Sequence, residues 1–223
     1  MVKTMALDPQ LTHSLPPAPT LYGGLDVLAQ AIGAIAAVTN TPVADALALE
    51  ALALVREALP AVVADGADAG ARSRMACASL LAGCAMNLSE VGSDHSLGHA
   101  PGVRHGIPHG LSVGLVLSEA MERDRHAAPE RIADALGAPP AAVPDGSRAV
   151  AAVRALLAGV GCPTLAEQGV ADADVGPLAE VAQRAWIPVA PRPWSRDDVE
   201  HAYRRALALR RRTSEEPHAA RLA

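Results

Sequence analysis

Aromatic side chains are almost missing from this sequence, and this feature restricts the possible folds more than any other. Phe does not occur and aromatic residues make up 2% of the chain, although 50% of its residues are hydrophobic. The interior must therefore be filled mainly by Ala, Leu and Val. Small residues of high helix propensity suit closely packed helices, whereas sheets favour aromatic and β-branched residues. The composition predicts an all-α fold.

Charge and cysteine content argue against several classes of function. The formal net charge is −5, and a nucleic-acid-binding protein would instead need a broad basic face with aromatic residues. Cys77, Cys84 and Cys162 lack metal-binding spacing, so we interpret them as buried apolar residues in a reducing compartment. The first residues show no signal-peptide pattern, and no apolar run reaches the roughly 18 residues of a membrane span. We expect a cytoplasmic protein that binds neither nucleic acid nor a membrane.

The hydrophobic pattern predicts a single helical domain over residues 1–212. It begins with a short extended entry at 1–21 and is followed by a disordered tail at 213–223. Residues 88–108 are less regular and contain three of the eight histidines. Helices are predicted over 24–40, 43–64, 69–87, 109–123, 129–136, 147–159, 176–185 and 196–211.

Histidines are concentrated in one short segment of the chain. His95, His99, His105 and His109 are half of the eight histidines. His95 and His99 are four residues apart and would share one face of a helix. His109 follows a proline and begins the next apolar helix, where its ring can point back toward the preceding segment. Two imidazoles on adjacent elements are half of a metal site and need a carboxylate from elsewhere.

Asp26 is the candidate carboxylate. It lies near the start of an otherwise apolar helix, and Gln30 follows one turn later on the same face. A buried Asp is costly unless it is paired, hydrogen-bonded or bound to a metal. Spacing alone leaves an alternative open, in which Asp26 only caps its helix and His95 and His109 are hydrogen-bonded histidines without a metal.

Several motifs, taken in order, resemble the C-terminal domain of iron-containing alcohol dehydrogenases. DPQLTHSLPPAPT at 8–20 and GLDVLAQAI at 24–32 are similar to the family's DPxLTxxLPPxxT and GMDALxHAIE, and residues 41–51, 71–83 and 108–111 continue the match. The resemblance covers about residues 5–205 of this sequence. It implies a helical bundle like the C-terminal domain of iron-containing alcohol dehydrogenases and dehydroquinate synthase-like proteins.

The resemblance also implies a set of site residues. The family's metal ligands fall on Asp26, Gln30, His95 and His109, which implies a divalent ion, Fe or Zn. The family has His where this chain has Gln30, and an amide is a weaker ligand than an imidazole, so we expect weak binding of the ion or none. Related glycerol dehydrogenases and dehydroquinate synthases use one carboxylate and two His. His99 matches a family histidine near the substrate and nicotinamide, which implies a catalytic role in proton relay.

Two further positions differ from the family pattern. His105 stands where the family usually has an aromatic residue, and Arg104 precedes it, which suggests a substrate-binding pocket for an anionic or polar compound. The alternative is that Arg104 and His105 are solvent-exposed loop residues without a binding role. The family's Glu three residues after its metal-binding His is Gly33 here, so the support around the site is also expected to differ.

The family's nucleotide-binding half has no counterpart in this sequence. Residues 1–21 contain no glycine-rich turn of the GGGS type to hold a pyrophosphate, so we do not expect this chain alone to bind NAD(P). The first hypothesis is metal-assisted alcohol or aldehyde oxidoreduction with a nucleotide-binding partner. In the two-domain family the active-site cleft lies between the domains, so we expect a homodimer or a partner chain to cover the corresponding face near His95 and His99. Two alternatives stay open: redox-neutral elimination, hydration, aldol-type cleavage or cyclisation, and a non-catalytic binding module.

Overall fold

The computed structural model describes residues 5–125, 130–140, 144–186 and 188–209. These residues form helices and connecting turns without a strand, which confirms the all-α prediction. Short 3-10 helices occur at Pro9–Thr12, Ala166–Gln168 and Asp172–Asp174. The α-helices of the described residues are α1 (Pro17–Ala36), α2 (Pro42–Ala64), α3 (Ala69–Leu88), α4 (Ser93–His105), α5 (His109–Arg123), α6 (Glu130–Ala135), α7 (Ser147–Gly159), α8 (Val175–Arg184) and α9 (Arg196–Ala208).

The beginning of the chain is more helical than predicted. The extended entry expected over residues 1–21 is corrected, because Pro9–Thr12 forms a 3-10 helix and α1 begins at Pro17. Proline fits the first turn of a helix, where its missing N–H costs no hydrogen bond and its fixed φ already suits the helix. The proline-rich stretch is therefore a helix start. Residues 1–4 and the tail predicted at 213–223 lie outside the described residues.

Residues 88–108, predicted to be less regular, contain helix α4 (Ser93–His105). Its glycines and its internal Pro101 disfavour a helix by propensity. Tertiary hydrogen bonds outweigh that preference: the Ser112 hydroxyl donates to the carbonyl of Gly98 at 2.5 Å, and the buried Tyr203 hydroxyl donates to the carbonyl of Leu97 at 2.6 Å. Both contacts hold α4 in place, and α4 carries three of the predicted site histidines.

Helix α1 forms the centre of the bundle: it packs mainly against α2, α3 and α5 and also contacts α4. The interior consists mostly of aliphatic residues, as the composition predicts. Apart from Tyr203, leucine supplies most of the larger fully buried side chains, among them Leu25, Leu28, Leu52, Leu59 and Leu111. Because α1 is covered on several sides, a polar side chain on it must find a specific partner. Asp26 is such a residue.

Helix α3 has a face that is less buried than predicted. Cys77 and Cys84 are exposed and only Cys162 is buried, which corrects the expectation of three buried cysteines. The reason is that α3 packs through Ala78, Ala82 and Ala85, so that Cys77 and Cys84, two turns apart, lie on its outer face. Among the described residues, no single helix has the length and apolar character to cross a membrane. Helices α3 and α4 pass the same test of length and composition only when taken together, and they meet at a 110° bend.

Candidate metal centre

Three helices bring Asp26, His95 and His109 to one point. Asp26 lies midway along α1, His95 in the first turn of α4, and His109 at the first position of α5. One ligand atom from each residue lies within 4.8 Å of the other two. The Asp26 Oδ1 atom is 3.6 Å from Nε2 of His95 and 3.4 Å from Nε2 of His109. The structure therefore joins a carboxylate and two imidazoles that are far apart in sequence.

The close approach of α5 to α1 depends on Gly110. A Cβ atom at this position would lie 2.1 Å from the carbonyl oxygen of Tyr22 and 3.0 Å from Cβ of Asp26. No side chain fits there, because non-bonded carbon atoms prefer separations of about 3.5–4.0 Å. Glycine thus lets the start of α5 lie directly on α1, and this contact brings His109 to Asp26.

The environment of Asp26 fits a divalent cation. Its Oδ1 atom is buried and accepts no hydrogen bond, which is costly for a carboxylate oxygen. Two ligands that are each 2.0–2.2 Å from a tetrahedral ion are about 3.4 Å apart. The separations of 3.4 and 3.6 Å between Asp26 Oδ1 and the two imidazole nitrogens are close to that value. The donor set of one carboxylate and two imidazoles is also one that Zn²⁺ and Fe²⁺ accept.

Gln30 contacts the same carboxylate from the other side. Its Nε2 donates to Asp26 Oδ2 at 2.8 Å, one helical turn away. In this arrangement the amide holds Asp26 in position and leaves Oδ1 directed at the two histidines. The amide of Gln30, expected among the ligands, thus acts here as a hydrogen-bond donor to one of them.

Asp94, whose carboxylate contacts His95, was not predicted as a site residue from the sequence. The Asp94 Oδ2 atom lies 2.6 Å from Nδ1 of His95, and the side chain is buried. Burial lowers the pKa of His95, but the carboxylates of Asp94 and Asp26 outweigh burial and raise the pKa from 6.5 to about 10. The only sequence signal was an acidic residue directly before a candidate ligand.

The other predicted site residues lie along α4. His99 is exposed and one turn beyond His95 on the same side of the helix. Arg104 is exposed near the C-terminal end. His105 is in the last turn, about 15 Å along the axis from His95, and its Nε2 lies 3.8 Å from Oδ1 of Asp174. The structure thus keeps His99 near the centre and directs His105 toward the segment before α8.

The sequence is similar to known proteins over most of its length. Residues 20–207 match the model of the Fe-containing alcohol dehydrogenase family, C-terminal. A probable alcohol dehydrogenase, EutG of Escherichia coli strain K12, is 36% identical over 177 residues, which are 79% of this chain and 45% of the relative. Long-chain-alcohol dehydrogenase 1 of Geobacillus thermodenitrificans is 34% identical over 223 residues, covering 96% of this chain and 56% of the relative. The chain therefore spans about half the length of these curated relatives.

Solved structures show the same relationship. A 1,3-propanediol oxidoreductase superimposes with a TM-score of 0.83 at 31% identity, over 89% of this chain and 54% of that one. An alcohol dehydrogenase from Oenococcus oeni superimposes with a TM-score of 0.84 at 28% identity, again over 89% of this chain and 54% of that one. The helical bundle described above corresponds to about half of each of these chains.

Proposed function

Because this chain belongs to the Fe-containing alcohol dehydrogenase family, over the C-terminal part of such enzymes, we propose that it is the metal-site half of an alcohol or aldehyde oxidoreductase. The observation that carries the proposal is the buried Oδ1 of Asp26, which accepts no hydrogen bond and lies 3.4 and 3.6 Å from two imidazole nitrogens. Asp26, His95 and His109 would hold a divalent ion, Fe²⁺ or Zn²⁺. Gln30 would keep Asp26 in position through its hydrogen bond to Oδ2. Such an ion, when bound, polarises a substrate oxygen as a Lewis acid.

The two candidate histidine ligands differ in their exposure to solvent. His95 is nearly buried and is fixed by Asp94, whereas the side chain of His109 is 60% exposed. The open side of the centre is therefore the His109 side, from which a small alcohol or aldehyde can approach. Hydride transfer would need a nicotinamide held against the substrate, and the part of the enzyme that holds it is supplied from beyond the residues described.

His99 is the proposed proton relay. Oxidation of an alcohol releases the hydroxyl proton in addition to the hydride, and that proton has to reach water. The imidazole of His99 is exposed on the side of α4 that carries His95, so a ring nitrogen can accept the proton and pass it to solvent. Histidine is the side chain that most often transfers protons in enzymes.

The test of this function is titration of the Co²⁺-loaded chain with small primary alcohols and diols, followed by visible absorption. An alcohol that binds at the centre is expected to change the Co²⁺ spectrum in a saturable way. His99→Ala should leave Co²⁺ binding intact, because we do not assign His99 as a ligand. Calorimetric titration with NADH and NADPH in the same samples should give no binding stronger than that of a generic anion.

The outcomes are separable. A Co²⁺ spectrum that does not respond to alcohols or aldehydes would contradict the substrate class. Micromolar binding of NADH, or reduction of an aldehyde by this chain alone, would contradict the proposal that the nicotinamide is held elsewhere. Failure to bind Co²⁺, Zn²⁺ or Fe²⁺ at all would remove the metal-site proposal itself.

We propose further that the open face beside the centre is covered by another protein surface, with a homodimer as the form of the isolated chain. This face exposes Val103 at 62%, together with His99 and His109. A single exposed apolar residue is common on soluble proteins, so the proposal depends on the exposed imidazoles of His99 and His109 at this face. Light scattering of the purified chain should give twice the monomer mass. A monodisperse monomer at micromolar concentration would contradict it.

A further inference from the structure

Asp94 contacts His95, a residue of the candidate centre, but is not itself one of the three candidate ligands. The side chain is 3% exposed, and its Oδ2 lies 2.6 Å from Nδ1 of His95. The other ring nitrogen of His95, Nε2, is the one that faces Asp26. A neutral imidazole that donates Nδ1–H to a carboxylate keeps its lone pair on Nε2. Asp94 therefore favours the one tautomer of His95 that can bind a metal at this point.

Backbone packing fixes the position of Asp94. The turn between α3 and α4 lies directly on α1 at Gly33, where a Cβ would be 2.3 Å from the amide nitrogen of Gly92. A Cβ on Gly92 would in turn lie 3.1 Å from Cα of Gly33 and 2.2 Å from Oδ1 of Asp94. Gly33 and Gly92, which are neighbours in space, thus allow the first turn of α4 to pack closely on α1. Asp94 lies in that turn, where a helix N-terminus stabilises negative charge.

The charges around the centre agree with a divalent occupant. Asp26 and Asp94 supply two negative charges on opposite sides of His95. Histidines that bind a metal are neutral, so in the loaded centre Asp26, Asp94 and the two histidines would together carry a charge of about −2, which one divalent ion would neutralise. Charges in a poorly solvated site are costly unless they are compensated, so neutralisation by a divalent ion favours binding.

We infer that Asp94 is a positioning residue of this centre, which orients His95 and increases the affinity for a divalent ion without binding the ion itself. The inference rests on the proposed function, in which Asp26, His95 and His109 hold that ion. The role of Asp94 would be that of the carboxylates that commonly hydrogen-bond metal-binding histidines, which fix the ring orientation and raise the basicity of the ligand.

The experiment compares Zn²⁺ affinity in the full chain and in Asp94→Ala and Asp94→Asn, by competition with a chromophoric chelator. Loss of such a partner usually weakens binding about 10- to 100-fold, and we expect that loss in Asp94→Ala. Asp94→Asn keeps an acceptor oxygen but removes the charge, so a smaller loss is expected. The matched control is Asp124→Asn, because Asp124 is also buried but contacts Ser93 and Trp194 instead of a histidine. Its affinity should equal that of the unmodified chain.

A second measurement does not depend on the variants being folded. Nitrogen-15 NMR of the Zn²⁺-loaded, histidine-labelled chain should show His95 with a hydrogen-bonded proton on Nδ1 and the metal on Nε2. The opposite assignment, or an Asp94→Ala chain that binds Zn²⁺ as tightly as the unmodified one, would overturn the inference and leave the metal-site proposal standing. A chain that binds no divalent ion in any form would overturn both.

Discussion

Replacing Asp26 by asparagine is expected to lower the affinity for Zn²⁺ or Co²⁺ by more than about 100-fold, since loss of an outer partner alone costs about 10- to 100-fold. Asp26 Oδ1 is the atom that both imidazoles face, and asparagine removes its charge while keeping its shape. The measurement is chelator competition on the purified variant.

The matched control for this substitution is Asp45→Asn. The Asp45 side chain is 21% exposed, close to the 25% of Asp26, and it pairs with Arg131 of α6. Both variants should keep the helical circular dichroism spectrum, and only Asp26→Asn should lose the metal. Unchanged affinity in Asp26→Asn would place any bound ion elsewhere.

The largest effect on folding is expected from Gly110→Ala. The added Cβ would lie 2.1 Å from the carbonyl oxygen of Tyr22, and this atom belongs to the backbone of a central helix and cannot move alone. Overpacking of this kind typically costs about 1–3 kcal/mol, and we expect the upper end of that range in the free energy of unfolding. Because His109 precedes this residue, metal affinity should fall as well. Urea denaturation followed by circular dichroism measures the first effect.

Gly83→Ala is the control for the glycine substitution. Gly83 lies inside α3, and a Cβ there would meet no atom within 4 Å. Alanine stabilises a helix interior by about 0.5–1 kcal/mol relative to glycine, so this variant should be slightly more stable than the unmodified chain. Equal stability of Gly110→Ala and Gly83→Ala would show that α5 can move away from α1 at little cost.

The fold class could be predicted because it depends on the composition of the whole chain. The positions of proline residues were less informative about where helices begin. Pro17 and Pro19 resemble loop residues in sequence, yet they occupy the first turn of α1, where proline is tolerated. Helix α4 could not be predicted from propensity, because its stability comes from distant partners such as Ser112 and Tyr203.

The candidate centre was predictable only in part. Residue type and the family resemblance indicated Asp26, His95 and His109, whose ligand atoms lie within 4.8 Å of one another. The roles of the neighbouring side chains depend on orientation, which spacing does not encode. Gln30 points its amide nitrogen at Asp26, and Asp94 reaches His95 because two glycines let the turn approach α1.

The unequal burial of the two histidines has a consequence for metal exchange. The side chain of His95 is 9% exposed and hydrogen-bonded on its far nitrogen, whereas that of His109 is 60% exposed. For any ion held between them, His109 is the ligand that can rotate away first, while Asp26 and His95 stay in place. Capture and loss of the ion would then be governed by the rotation of one surface side chain, with no need for the bundle to open. A protein surface that covers His109 would slow both steps together and leave the equilibrium affinity much less affected.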